Sequence, residues 1–178
     1  FNFPNPEDRP IYQQKERLTQ TYGETRATWM TSIFRNLSVY PNLHMLDQMA
    51  TLIRTFRPIS VDKTEITFYC LAPKVESPAE RVRRLRQYEE FFMGSGMGTP
   101  DDNAEFEYCH EGAEGASSAG KSFISFGLHN RIVGQDETAK TLGVPLESSG
   151  LIGYEGCSMS QFDEWLRLMK RATQGAAS

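Results

Sequence analysis

The sequence predicts an α+β fold, an antiparallel β-sheet with flanking helices, and three observations predict it. Residues 64–71 alternate strictly, with Thr64, Ile66, Phe68 and Cys70 on one side and Glu65, Thr67, Tyr69 and Leu71 on the other, as in a strand with two distinct faces. Residues 77–92 and 160–173 carry helix start signals followed by apolar residues at helical spacing. Strands and helices come in groups and do not alternate as βαβ units, which separates α+β from α/β. The 178 residues fit one domain, 1–178, and a chain of this size buries about 70% of its unfolded surface without a staple.

Residues 1–10, rich in Pro and Asn, form an irregular lead-in. From Ile11 to about Phe34 the apolar positions Tyr12, Leu18, Tyr22, Trp29, Met30 and Phe34 follow a helical period broken at Gly23. Leu37–Tyr40 reads as a short strand ending at the Pro41-Asn42 turn, and residues 43–57 suit one long strand. A connection at 57–63 joins it to 64–71 as an antiparallel pair. The next helix has Ser77 as N-cap, Pro78 at its first position and Glu80 completing a capping box. Val82, Leu85, Tyr88 and Phe92 make its buried stripe, with Arg81, Arg83, Arg84 and Arg86 covering the solvated side. After Gly94-Ser95-Gly96, a further helix starts with Thr99 as N-cap, Pro100 first and Asp102 third. Residues 112–121 read as a flexible loop, 122–128 as a strand and Asp136–Leu142 as a short helix. A last helix from Ser160, its cap, to about Thr173 carries Phe162, Trp165, Leu166 and Met169 on its apolar face.

Composition excludes several classes. A net charge of −4 and a pI near 5.5 argue against a nucleic-acid partner. With 39% hydrophobic residues and a mean hydropathy of −0.50, no stretch approaches the ~18 apolar residues of a membrane span. Cys70, Cys109 and Cys157 are scattered, which argues against a disulfide framework and a zinc knuckle. The opening Phe1-Asn2-Phe3-Pro4, with no Met, predicts part of a longer polypeptide or a processed chain.

Candidate chemistry is sparse. Of the three histidines, His44 and His129 stand alone, as packed or surface residues do. Asp102 and His110 lie on one helix but eight residues apart, hence about 12 Å at 1.5 Å per residue, while donors to one metal sit about 3 Å from each other. No P-loop, H-E-x-x-H, G-x-S-x-G or G-x-G-x-x-G motif occurs. Asp101-Asp102 has an ordinary explanation, since carboxylates in a first helical turn are favoured by the macrodipole. The pair also follows the glycine-rich corner 94–98 beside Phe91-Phe92, where a turn can carry a carboxylate into a pocket.

The runs Asn5–Pro10, Tyr40-Pro41-Asn42, Thr64–Pro73 (TEITFYCLAP) and, above all, Arg86–Asp102 (RQYEEFFMGSGMGTPDD) stand out. They resemble the large (alpha) subunit of benzoate/toluate-type Rieske aromatic ring-hydroxylating dioxygenases. The resemblance implies the C-terminal portion of a catalytic domain of the helix-grip (START-like) type. It also implies mononuclear Fe(II) held by two histidines and one aspartate, the aspartate falling on Asp102. The histidine ligands of that family sit in a D-x-x-H-x-x-x-x-H-like motif, which this sequence lacks, as it lacks the Cys/His motifs of the Rieske domain. Both His ligands and the [2Fe–2S] cluster are therefore expected outside this chain, which is not expected to act alone. The resemblance further implies electrons from NADH through a separate reductase, O2 as co-substrate and a cis-diol made from a benzoate-like aromatic carboxylate. It implies small β-subunits in an α3 or α3β3 assembly and a cytoplasmic location. Asn36, Leu46, Met49 and Phe92 match positions lining the substrate cavity, with ordinary core packing as the competing explanation. A carboxylate on the ring calls for a cation, for which Arg54 is the candidate, against a surface-strand arginine. The residues alone leave a second function open: a non-enzymatic module that binds a small apolar or aromatic ligand or offers an assembly surface.

Overall fold

The structure, a computed structural model, describes residue 2 and residues 4–119, 131–150 and 159–175. The chain divides into two compact units, Phe1–Ser118 and Ala119–Ser178. The α+β expectation holds: a four-stranded antiparallel sheet with helices beside it is the centre of the first unit.

In the first unit, 3-10 turns at Pro6–Asp8 and Pro10–Gln14 lead into α1 (Lys15–Tyr22) and α2 (Glu24–Ser32). Gly23 separates the two helices at φ +82°, a backbone conformation that glycine adopts without a Cβ penalty. The lead-in is pinned rather than loose. Buried Arg9 donates from Nη1 to the Thr31 carbonyl (3.0 Å) and from Nη2 to Asp47 Oδ1 (2.8 Å), and Asp47 also accepts from Arg35.

The sheet runs β1 (Arg35–Val39), β2 (Leu43–Asp47), β3 (Thr51–Ser60) and β4 (Lys63–Leu71) in that spatial order, each strand antiparallel to the next. The single strand expected over 43–57 is instead two, joined at Gln48–Ala50, where the Gln48 N–H donates to the Ala50 carbonyl at 3.1 Å. Gly, Pro and Asn do not mark that turn. Its geometry is fixed by Asp47, whose carboxylate accepts from Arg9, Arg35 and Thr51. The alternation in 64–71 places side chains as expected: Cys70, Phe68 and Ile66 lie opposite Leu52, Arg54 and Phe56.

Helix α3 (Pro78–Phe92) has the Ser77–Glu80 capping box. Its buried side differs from the expected stripe. Val82 and Leu85 are exposed at 59% and 41%, while Arg84 is 4% exposed and Phe92 2%. The helix turns Arg84, Tyr88 and Phe92, a run at i, i+4 and i+8, toward the sheet. Arg84 is satisfied there, donating from Nε to buried Glu76 (2.7 Å) and from Nη1 to Thr51 Oγ1 (3.2 Å). Leu46, Ala50, Leu52 and Phe92 form the core, with Phe68, Tyr88 and Phe91 packed against it.

Helix α4 (Thr99–Ala119) takes in 112–119, which the sequence assigned to a loop. Elongating an existing helix gains one bond per residue. That gain, with the strong formers Ala113 and Glu114, outweighs about 1 kcal/mol for each of Gly112 and Gly115.

In the second unit, β5 (Ile132–Val133) pairs with β6 (Ser148–Ser149). Between them α5 (Glu137–Leu142) is capped by Asp136, whose carboxylate accepts from the Ala139 N–H at 2.8 Å. Helix α6 (Met159–Gly175) starts one residue ahead of Ser160, so Ser160 lies inside the first turn instead of capping it. The strand expected at 122–128, with His129, lies outside the described residues. Among the described residues no helix is long and apolar enough to cross a membrane.

Candidate functional site

Strand register decides which side chains meet. Asn36, Leu46, Leu52 and Cys70 form one row across the four strands, and Ser38, His44, Arg54 and Phe68 form the next. All eight belong to one face of the sheet, because side chains two apart on a strand share a face. The end of α3 and the start of α4 pack over part of this face. A cleft of about 470 Å³ remains, lined by Asn36, Ser38, His44, Leu46 and Arg54 from the sheet and by Phe91, Phe92 and Asp102 from the helices.

The turn between the helices sets the position of Asp102. The Thr99 hydroxyl donates to the Phe92 carbonyl at 2.7 Å, tying the start of α4 to the end of α3. Thr99 is thus a tether and not the helix cap. The carbonyl of Gly98 accepts the Asp102 N–H at 3.0 Å, which makes Gly98 the capping position. Gly98 is seated against Phe91, where an added Cβ would come within 2.7 Å of the ring.

Asp102 is half exposed at the cleft, its Oδ2 accepting from Arg54 Nη1 at 3.2 Å. Arg54, read from sequence as a surface-strand residue or a substrate partner, is buried: its side chain is 10% exposed. Its guanidinium lies 4.9 Å from the Phe68 ring centroid and 5.8 Å from that of Phe92. Its Nε is buried without a hydrogen-bond partner. His44, opposite Arg54 in the sheet, packs edge-on against Phe56. Burial, and secondarily the charge of Arg54, lowers its pKa below the ordinary 6.5, so the imidazole is neutral near pH 7.

Of the residues singled out in the sequence, Asn36, Leu46, Phe92 and Asp102 line this one cleft, and Arg54 joins them. Met49 sits half-buried in the connection between β2 and β3 and is not at the cleft. Ser38 and Phe91 were not singled out, and His44 was set aside as a packed or surface histidine. The period-2 spacing 36/38 and 44/46 carries that information once the β1–β2 hairpin is recognised. A larger groove of about 680 Å³ runs between the β3–β4 hairpin and α4 past His110, but it holds none of the singled-out ligand or cavity residues. The smaller cleft is the better candidate because a buried cation, a carboxylate and aromatic walls converge there.

Among the described residues no three His, Cys, Asp or Glu side chains converge as a metal site. The donor at the cleft is the Asp102 carboxylate, a hard oxygen ligand in the first turn of α4.

No family model matches the chain, and no solved structure matches it. Curated proteins do. The chain is 44% identical over 171 residues to toluate 1,2-dioxygenase subunit alpha of Pseudomonas putida, covering 96% of the chain and 37% of that protein. It is 45% identical over 172 residues to the 2-halobenzoate 1,2-dioxygenase large subunit of Burkholderia cepacia, with the same coverage of 96% and 37%. It is 37% identical over 170 residues to the anthranilate 1,2-dioxygenase large subunit of Acinetobacter baylyi, covering 94% of the chain and 36% of that protein. The chain spans about 37% of the length of the first two of these relatives. Over that span the chain is similar to the large subunits of aromatic-ring 1,2-dioxygenases.

Proposed function

We propose that this chain is the part of an aromatic ring-hydroxylating dioxygenase large subunit that walls the ring-binding cleft and contributes one carboxylate, Asp102, to a mononuclear iron site. The observation that carries the reading is convergence. Residues from β1, β2, α3 and α4 that match the family's cavity and ligand positions, Asn36, Leu46, Phe92 and Asp102, all line one cleft. In this reading the two imidazole donors and the Rieske [2Fe–2S] cluster come from polypeptide outside this chain. Electrons arrive from NADH through a separate reductase, and the subunit assembles as α3 or α3β3 in the cytoplasm. Iron(II) held by Asp102 and two imidazoles from outside this chain would supply dioxygen activation next to the bound ring. This chain's residues do the rest: Leu46, Phe91 and Phe92 exclude water and hold the ring, and the Thr99 tether fixes the carboxylate relative to them.

Asp102→Ala in the complete subunit tests this directly. Iron content by elemental analysis falls by about tenfold or more while the far-UV circular dichroism is unchanged, because the lost group is a metal donor and not a core residue. Full iron occupancy in the variant removes Asp102 from the role. It would also favour the competing reading, a metal-free binding module.

A further inference from the structure

We infer that the outer edge of β1 is the docking edge for a fifth strand, supplied by the polypeptide that precedes Phe1 in the complete subunit, and that this strand closes the open side of the cleft. The assignment rests on the chain being part of a longer subunit, as proposed above, and not on its iron.

Among the described residues the sheet ends on one side at β1 and on the other at β4. The two edges differ. β4 carries Lys63 and Glu65 at its exposed end, charges of the kind that keep a free edge from pairing. In β1, Asn36, Leu37, Ser38 and Val39 are all exposed, Leu37 by 55% and Val39 by 48%, and none of these residues is charged or a proline. Arg35, at the start of the strand, has its charge taken by Asp47. An uncharged row of edge N–H and C=O groups is a template for another strand.

Asn2 indicates where that strand comes from. It forms an antiparallel bridge with Ile33, just ahead of β1. The Ile33 carbonyl accepts from Arg9 Nη1 at 3.5 Å while Nη2 donates to the Asp47 carbonyl at 3.5 Å. The backbone groups of Ile33 therefore point toward β2, which leaves Asn2 the opposite side, in line with the outer edge of β1. Antiparallel partners run in opposite directions, one residue against one. Carried on from Asn2 and Ile33, the register puts the residue just before Phe1 opposite Arg35, the third before it opposite Leu37 and the fifth opposite Val39. The toluate and 2-halobenzoate dioxygenase subunits are matched over 37% of their length, which leaves ample polypeptide outside the matched span.

Backbone groups alternate sides along a strand, so those of Asn36 and Ser38 point outward, and Leu37 forms the closely spaced, non-hydrogen-bonded kind of pair with the incoming strand. Side chains alternate as well. The second and fourth residues before Phe1 stand beside Asn36 and Ser38, which line the cleft. The docked strand thus adds two side chains to the cleft wall and covers Leu37 and Val39 on the other face.

Hydrogen exchange on the complete subunit, resolved to single amides, tests the edge without any substitution. The Asn36 and Ser38 amides are expected to exchange at least about 100-fold more slowly than unstructured chain, and unprotected exchange at either overturns the inference. Disulfide trapping tests the register. Leu37→Cys, combined with a cysteine at the third residue before Phe1, is expected to cross-link on oxidation, as located by peptide mapping, because the paired Cβ atoms come within bonding reach. A cysteine at the fourth residue, on the other face, is expected not to link, and equal linking at both positions refutes the register. Slow exchange without the third-position link would mean that a second copy or another protein covers the edge, and it overturns the inference too. An unprotected edge beside iron lost in Asp102→Ala would sink this inference alone. A native protein with no polypeptide ahead of Phe1 would sink it together with the longer subunit.

Discussion

Arg84 of α3 and Arg54 of β3 are both buried where α3 packs on the sheet, and the fold treats them in opposite ways. Arg84 and Glu76 are 5% and 3% exposed, and Glu76 has both oxygens occupied, one by Arg84 at 2.7 Å and one by Arg81 at 2.8 Å. Arg54 holds a single longer bond to a carboxylate that solvent reaches. The contrast separates an ion pair that finishes a structure from one left unfinished. In the saturated pair both carboxylate oxygens of Glu76 are taken, whereas Arg54, which lines the cleft, keeps a buried Nε without a partner.

The largest effect should come from breaking the finished pair. Glu76→Ala strands Arg84 without a counter-charge and is expected to cost about 3–5 kcal/mol in urea denaturation. A much smaller cost would mean that the two arginines differ less than their geometry says. Asp102→Asn should cost about 1 kcal/mol or less, because the half-exposed carboxylate is screened by water and the amide oxygen can still accept from Arg54. Equal penalties at the two sites would erase the distinction. The smallest effect belongs to His44. Its folded pKa lies below its unfolded value, so its contribution to stability is complete above about pH 6.5. Below that the unfolded chain takes up the proton first and stability declines toward the folded pKa. His44→Gln should flatten the stability profile between pH 7 and 5 relative to the parent chain, and superimposable profiles would show that the imidazole does not feel its surroundings.

What the sequence discloses follows the same line between local and non-local causes. The capping box at Ser77 and the alternation of 64–71 are local, and both are present where they were read. Asp102 was singled out as a ligand position only through the resemblance, because a first-turn carboxylate has an ordinary explanation everywhere. Arg84 was misread as solvated because its partner Glu76 lies before the helix and Thr51 lies on a distant strand. The turn at 48–50 was missed because its determinant is a carboxylate–guanidinium cluster drawing on Arg9 and Arg35, and no turn-forming residue marks it. Arg54 and His44 form a pair only once the register of β2 and β3 is known.

Gly98, flush against the Phe91 ring, has a bearing on how such a cleft can diversify. A side chain there would push the aromatic wall and the first turn of α4 apart together, so cavity width and carboxylate position are geared to one mechanical coordinate. If the cleft holds a ring as proposed, accommodating larger or differently decorated rings is left to β1, where the exposed Asn36 and Ser38 can change size without touching the core that seats the helix junction. The helical side of the cleft is the jig, and the sheet is where the tailoring is done.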